Sequence, residues 1–265
     1  MATRRLTYAA AINEAFHEAM AADDSVIQIG VGVNTPWYVG QTLNGLLDRF
    51  GEERMIDTPV SENGITGMAV GAAMTGMRPV LTFPRMDFMY YAMDQLCNQC
   101  AMVNYSLGGK RPIPITVRAI INRGGEQGAQ HSQAIQSVFM HIPGLKVVMP
   151  ADPFDAKGMM LAAIQDPNPV VYVEDRWLYD EEEEVTLAPR QCPLEGARVV
   201  AEGTDITVVS TSFLVAETRR ALPAIEGSGV SAELIDLRSL TPLDEQTVLD
   251  SVAKTNRLVV VDGTW

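Results

Sequence analysis

Ile56-Asp57-Thr58-Pro59-Val60-Ser61-Glu62-Asn63-Gly64 carries the chain from the tip of a strand into a helix, and that junction decides the fold class. Thr58-Pro59 is a turn signal and Ser61 a capping residue type, so Glu62 falls in the first turn of the helix, where the macrodipole favours its charge. The helix runs on through Gly67-Met68-Ala69-Val70-Gly71-Ala72-Ala73-Met74-Thr75-Gly76, small enough for the close approach that a tight interface or a cofactor requires. By position alone Glu62 reads first as an ordinary exposed helix-start acid. Only the surrounding sequence gives it a chemical role.

Outward from this junction, apolar strand-like runs alternate with helical periodicity, the pattern of a parallel sheet covered on both faces. Val26-Ile27-Gln28-Ile29-Gly30, Pro79-Val80-Leu81-Thr82-Phe83, Ile113-Pro114-Ile115-Thr116-Val117, Leu145-Lys146-Val147-Val148 and Val170-Val171-Tyr172-Val173 are the predicted strands. Helices are predicted over about 7–22, 40–49, 62–76, 88–105, 131–141 and 153–165, the last opened by Asp152-Pro153. The acid run Asp180-Glu181-Glu182-Glu183-Glu184 and the proline-punctuated stretch after it read as a solvated connector. Ile206–Ser210, a helix over about 213–225, Ser231–Ile235, a helix over about 243–254 and Leu258–Val261 then start a second α/β unit. The expected division is 1–185 and 186–265. Because the chain stops directly after a strand, the second unit is expected to be incomplete.

Composition narrows the function. The 265 residues, 47% hydrophobic and 20% charged, suit a globular protein with a sizeable core. A net charge of −13 opposes phosphate backbones and anionic lipid, so nucleic-acid and membrane-surface roles are disfavoured. No run approaches about 18 apolar residues and the first residues lack a signal-peptide core, so a cytoplasmic protein is expected. Three cysteines argue against a disulfide framework. Cys97 and Cys100 form a C-x-x-C inside a helical pattern with no second pair or nearby histidine, and they read as small buried helix residues.

Two glycine loops follow strands. Gly30-Val31-Gly32-Val33-Asn34-Thr35 lacks the third glycine of a dinucleotide fingerprint. Arg123-Gly124-Gly125-Glu126-Gln127-Gly128-Ala129-Gln130-His131 delivers one of only three histidines to a helix start, where His131 serves equally as an active-site group or as a ring satisfied by loop hydrogen bonds. His17 and His141 sit in helical patterns and read as structural.

Asp57-Thr-Pro-Val-Ser-Glu62, Gly71-Ala-Ala-Met-Thr-Gly-Met-Arg78-Pro79, Asp87-Phe88 through Asp94-Gln95, Gln130-His131-Ser132-Gln133, Pro143-Gly144-Leu145-Lys146-Val147-Val148 and Leu237-Arg238-Ser239-Leu240-Thr241-Pro242-Leu243-Asp244 together resemble the beta subunits of thiamine-diphosphate-dependent 2-oxoacid dehydrogenases, members of the transketolase-like superfamily. The resemblance is collinear over almost the whole chain. It implies a thiamine-diphosphate-binding α/β fold with a pyrimidine-type domain up to about residue 185, followed by a partial transketolase C-terminal domain.

The resemblance also implies the site. Glu62 matches the glutamate that hydrogen-bonds the aminopyrimidine ring and so promotes proton removal from the thiazolium carbon. Phe88 matches the aromatic residue packed on the pyrimidine. His131 matches the histidine that assists acyl transfer to a lipoyl group. Ile115, Ala163, Asp166 and Asn168 match positions whose oxygens hold a potassium ion in some members.

The superfamily's G-D-G motif with a following Asn, which binds Mg²⁺ and the diphosphate, is absent. An alpha subunit is therefore expected to supply that half, in an α2β2 heterotetramer with a site between subunits and with a lipoyl acyltransferase as a further partner. Val31 and Thr82 stand where an acid is common in the family. Arg85 stands where a small or apolar residue is usual before the stacking aromatic and Arg123 precedes the glycine loop; one of them is expected to pair with a carboxylate or phosphate of an unusual substrate, the alternative being a surface or subunit-interface salt bridge. Oxidative decarboxylation of a 2-oxoacid is the leading expectation. Transketolase-like or carboligating transfer from a sugar or small ketone, and a noncatalytic partner subunit, are the alternatives.

Overall fold

Burial at every position of a strand marks a sheet covered on both faces, and the central strands show it: Val26–Gly30, Thr116–Ile121 and Val170–Asp175 are buried throughout. The computed structural model describes residues 3–35, 39–122, 127–186 and 192–263. In chain order its first half contains β1 (Thr3–Thr7), α1 (Tyr8–Ala22), β2 (Val26–Gly30), α2 (Leu46–Phe50), β3 (Met55–Asp57), α3 (Glu62–Met74), β4 (Arg78–Phe83), α4 (Val103–Ser106), β5 (Thr116–Ile121), α5 (Gln136–Met140), β6 (Lys146–Val148), α6 (Pro153–Gln165), β7 (Val170–Asp175) and β8 (Glu182–Thr186). The second half adds β9 (Arg198–Ala201), β10 (Ile206–Ser210), α7 (Phe213–Gly227), β11 (Ala232–Asp236), β12 (Ser239–Thr241), α8 (Glu245–Thr255) and β13 (Leu258–Val261).

The large sheet has the order β12-β6-β7-β5-β4-β2-β3, and all its pairings are parallel except β12 with β6. Side chains alternate between faces along each strand. Val80, Ile120, Val170 and Tyr172 therefore meet Ile12, Phe16 and Met159 of α1 and α6 in one core layer. Leu81, Phe83, Val117 and Val173 meet Ile65 and Ala69 of α3, with Met89 and Leu96, in the other. A smaller sheet, β13-β10-β11-β9, belongs to the second half, parallel except where β9 pairs antiparallel with β11.

Several expectations need correction. The acid run is no solvated connector. Glu182–Thr186 pairs antiparallel with Thr3–Thr7, aligning Arg5 with Glu184 and Arg4 with Val185, and Arg219 and Arg220 neutralise Glu183 and Glu181. Cross-strand and helix-borne cations remove the repulsion that made the run read as unstructured. The helix expected over 88–105 is a 3-10 turn at Met86–Ala92, a π-helical turn at Asp94–Cys100 and the short α4. The helices expected over 40–49 and 131–141 shrink to α2 and α5. Cys100 is buried and Cys97 partly so, both as free thiols, and burial pushes the Cys100 thiol up.

The seam between the two halves is ionic. Asp152, Asp155 and Asp236 are buried around Arg198 and Arg238: Arg198 pairs with Asp152, reaches Asp155 at 3.3 Å and Asp236 at 3.6 Å, and Arg238 donates to Asp155 at 3.1 Å. Three acids share two guanidinium groups. Burial pushes the Asp236 carboxyl up to about 8, with Arg198 opposing and Asp155 and Asp152 adding to the rise. The folded state thus keeps a proton that the unfolded carboxyl releases near 3.8, and this group's contribution to stability falls as pH rises between those values. Asp236→Asn pins the neutral form. Urea unfolding midpoints of the variant should change less than those of the unmodified chain between about pH 6 and about pH 8.5; parallel curves would show that Asp236 does not hold the proton.

Candidate active site

Every parallel strand of the large sheet points its carboxyl end to one edge, and the residues singled out from the sequence gather there by connectivity. Glu62 follows β3, Phe88 follows β4 and His131 follows β5. Asp57, at the tip of β3, accepts the Gly32 amide at 2.6 Å and the Thr58 amide at 3.1 Å, so it ties the glycine loop after β2 to the run that leads into α3. Gly30 must be glycine: its φ is +154° and an added Cβ would stand 2.6 Å from the Thr82 carbonyl oxygen.

Glu62 is the first residue of α3. Ser61 occupies the cap position, but its side chain makes no capping bond, which leaves the first turn's positive end to the Glu62 carboxylate. That carboxylate is half-buried, and among the described residues it has no hydrogen-bond or salt-bridge partner. The small residues of α3 serve two purposes. At Gly67 a Cβ would meet the Gln95 side chain at 3.3 Å, so the π-helical turn packs close, whereas Gly71 faces open space between the exposed Met68 and Met74.

Phe88 and His131 form one unit: their rings stand edge to face, 5.1 Å apart at 89°. Two side chains beside Phe88 clamp the His131 segment. Arg85 donates from Nε to Gln127 Oε1 at 2.6 Å, and Asp87 accepts the Gln133 amide at 3.1 Å. Burial pushes the Asp87 carboxyl above its ordinary range, while the Gln133 and Asp87 amides, His131 and Arg85 pull it back. Arg85 is buried and also donates to the Pro84 carbonyl. Arg123 lies outside the described residues. The roles of Asp87, Gln127 and Gln133 escaped the sequence reading, because each depends on a contact between distant segments.

Around the same edge, Asn34 Oδ1, Thr58 Oγ1, Asp87 Oδ2, Asn122 Nδ2 and Ser132 Oγ are buried with no hydrogen-bond partner among the described residues. Buried polar atoms are normally satisfied, so five unsatisfied ones in loops at the sheet edge that also carries Glu62 suit a polar ligand there.

The positions matched to a potassium site lie elsewhere. Ile115, Ala163, Asp166 and Asn168 converge at the amino ends of β5 and β7. Lys146 Nζ bonds Asp166 Oδ2 at 2.7 Å, Arg78 donates to the Ile164 and Asp166 carbonyls at 2.9 and 3.3 Å, and the Ile115 carbonyl accepts the Val170 amide at 3.0 Å. Burial works against the Lys146 charge, but Asp166 and Glu195 hold its affinity for the proton above the ordinary value. Lys146 and Arg78 thus already engage Asp166 Oδ2 and the Asp166 carbonyl, Asn168 donates to Oδ1, and this donor set does not fit a further cation well.

The fold is that of the transketolase-type class of proteins. The family model for the transketolase pyrimidine binding domain matches residues 4–181, and that for the transketolase C-terminal domain matches 195–265. The acetoin:2,6-dichlorophenolindophenol oxidoreductase subunit beta of Cupriavidus necator is 41% identical over 98% of this chain and 79% of that protein. The pyruvate dehydrogenase E1 component subunit beta-2, mitochondrial, of Oryza sativa subsp. japonica is 40% identical over 100% and 71%, and the E1 subunit beta of Rickettsia conorii 40% over 98% and 80%. The chain belongs to this family, the beta subunits of thiamine-diphosphate-dependent 2-oxoacid dehydrogenases. Among solved structures, a split-gene transketolase in an inactive beta4 tetramer has the same fold, with a TM-score of 0.80 at 19% identity over 98% of this chain and 80% of that one.

Proposed function

We propose that the chain works as the beta subunit of a decarboxylating 2-oxoacid dehydrogenase component, in an α2β2 assembly whose alpha subunit holds Mg²⁺ and the diphosphate. The observation that carries this reading is the available Glu62 carboxylate at the start of α3. Glu62 and Phe88 would hold the aminopyrimidine of thiamine diphosphate, the ring nitrogen against the carboxyl and the ring face against the phenyl. When bound, the cofactor supplies an electron sink for the carbon that loses carbon dioxide. Glu62 would be the residue that holds or gives up a proton at its carboxyl toward that ring. His131, oriented by Phe88, holds or delivers a proton as the acyl group passes to a lipoyl carrier borne by an acyltransferase. Arg85 and Arg123 are the cations nearest in sequence to the Phe88 turn and the His131 segment, and one of them would pair with the substrate carboxylate. Potassium has no part in this proposal. Free thiols at Cys97 and Cys100 suit a reducing, cytoplasmic setting, and no helix among the described residues is long and apolar enough to cross a membrane.

A second reading, oxidation of acetoin, is favoured by the 41% identical relative. Reconstitution with an alpha subunit and assay with pyruvate, branched 2-oxoacids and acetoin, using 2,6-dichlorophenolindophenol as acceptor, separates the two. Labelled carbon dioxide from the 2-oxoacid supports the first; dye reduction on acetoin alone supports the second. His131→Gln should lower transfer to a lipoyl carrier about 100-fold while dye-coupled decarboxylation changes only a few fold. Equal loss in both assays would remove His131 from the transfer step.

A further inference from the structure

We propose that the seam between the two halves is a proton-operated latch: a proton held on Asp236 fastens β12 to the large sheet, and its departure lets β12 come away. The seam carries too many acids for its cations. Asp152, Asp155 and Asp236 are each at most 2% exposed, and among the described residues the only cations that touch them are the guanidinium groups of Arg198 and Arg238. Three carboxylates against two guanidinium groups leave one buried negative charge uncompensated unless one acid keeps its proton. Contacts single out Asp236. Arg198 lies opposite it across the β9–β11 ladder but pairs with Asp152 and stands 3.6 Å from Asp236. Arg238 turns its guanidinium to Asp155 at 3.1 Å and to the Gly196 carbonyl at 2.9 Å, and gives Asp236 only its backbone N–H, at 3.1 Å. Ser210, the partner on β10, brings a hydroxyl and no charge.

The residue that Asp236 holds is also the one that places β12. Arg238 has φ +54°, a left-handed backbone that a non-glycine residue keeps only where its surroundings fix it. Its N–H is fixed by the Asp236 carboxyl, and its carbonyl accepts the Met149 amide, just past β6, at 2.7 Å. Ser239–Thr241 follows directly and pairs with β6. Ionised Asp236 adds its charge to Asp152 and Asp155 of α6, and hydrating it means parting β11 from α6, so ionisation and opening are linked. Burial pushes the Asp236 carboxyl up to about 8 from an ordinary 3.8, so the closed seam binds a proton that the open one releases. Opening therefore becomes about tenfold easier per pH unit between those two values. Acid closes the latch.

Hydrogen exchange at assigned amides of the full chain tests this, each rate being divided by its intrinsic chemical rate. The Met149 amide reports the seam, and the amides of the central strand β5 report unfolding of the whole chain. Met149 protection should lie about tenfold or more below that of β5, and should fall about 100-fold from about pH 5 to about pH 7. Asp236→Asn has no proton to lose and should keep Met149 protection level over that range. Equal protection at Met149 and β5 would mean that the seam opens only with the whole fold, and would overturn the latch. A Met149 slope that persists in Asp236→Asn would overturn it too. Should asparagine disturb the corner, labelled aspartate carboxyl carbons in the unmodified chain decide: Asp236 titrating near 8 supports the latch, and titration near the ordinary 3.8 sinks it.

Discussion

Glu62→Gln is expected to lower turnover of the reconstituted alpha-beta pair by about 10²- to 10⁴-fold, the range of a lost acid-base group. Glutamine keeps the shape and a hydrogen bond to a heterocyclic nitrogen but cannot exchange a proton at it. The substitution should leave folding almost untouched. Glu62 is half-buried in the first turn of α3, and among the described residues its carboxylate makes no bond for the fold to lose, so only a dipole contribution of about 0.3–1 kcal/mol is at stake. Urea unfolding and steady-state kinetics on the same preparation check both halves. Full turnover in the variant would remove the carboxylate from the chemistry and favour a noncatalytic subunit.

Glu174→Gln should do the reverse, with a large loss of stability. Arg118 on β5 and Glu174 on β7 are both fully buried in the layer beneath α1, joined through Nε and, at 2.8 Å, through Nη2. Arg118 also donates to Thr42 Oγ1 at 2.7 Å and lies over the Phe16 ring, and Tyr179 donates to Glu174 at 2.9 Å. Removing one charge strands the other in a low-dielectric layer, at a cost of about 3–5 kcal/mol out of the roughly 5–15 that hold a domain together. Replacing both partners, Arg118→Met with Glu174→Leu, should recover most of that loss because no unpaired charge remains. Denaturant midpoints that place the double variant below Glu174→Gln would show that the pair stabilises the fold beyond charge compensation.

Much of the architecture was legible because the strands of a doubly covered sheet are continuous apolar runs: β2, β4, β7, β10 and β13 sit within a residue or two of where the sequence puts them. The failures share a cause. Glu182–Thr186 becomes a strand only when Thr3–Thr7 and the arginines of α7 reach it, and Ser239–Thr241 becomes one only because the edge of β6 lies beside it. Neither pairing has a local signature. In the candidate site, the helix-start place of Glu62 was legible from turn and cap chemistry, whereas the roles expected of Glu62, Phe88 and His131 came from the resemblance. Asp87 was not, since a buried acid and a solvated one look alike until Gln133, 46 residues away, closes on it.

Ser239–Thr241 has a consequence for how this chain can be taken apart. The segment leaves the smaller sheet after β11, lies antiparallel along β6 as the outermost rung of the larger one, and returns to α8. Expression of residues 1–185 alone would bare a row of ladder amides that invites edge-to-edge aggregation. Exchange of the second half between related chains would likewise transplant a borrowed rung along with the module. The two halves behave as a stitched garment rather than as beads on a string, and chimaeras should be cut to keep that stitch with the sheet it closes.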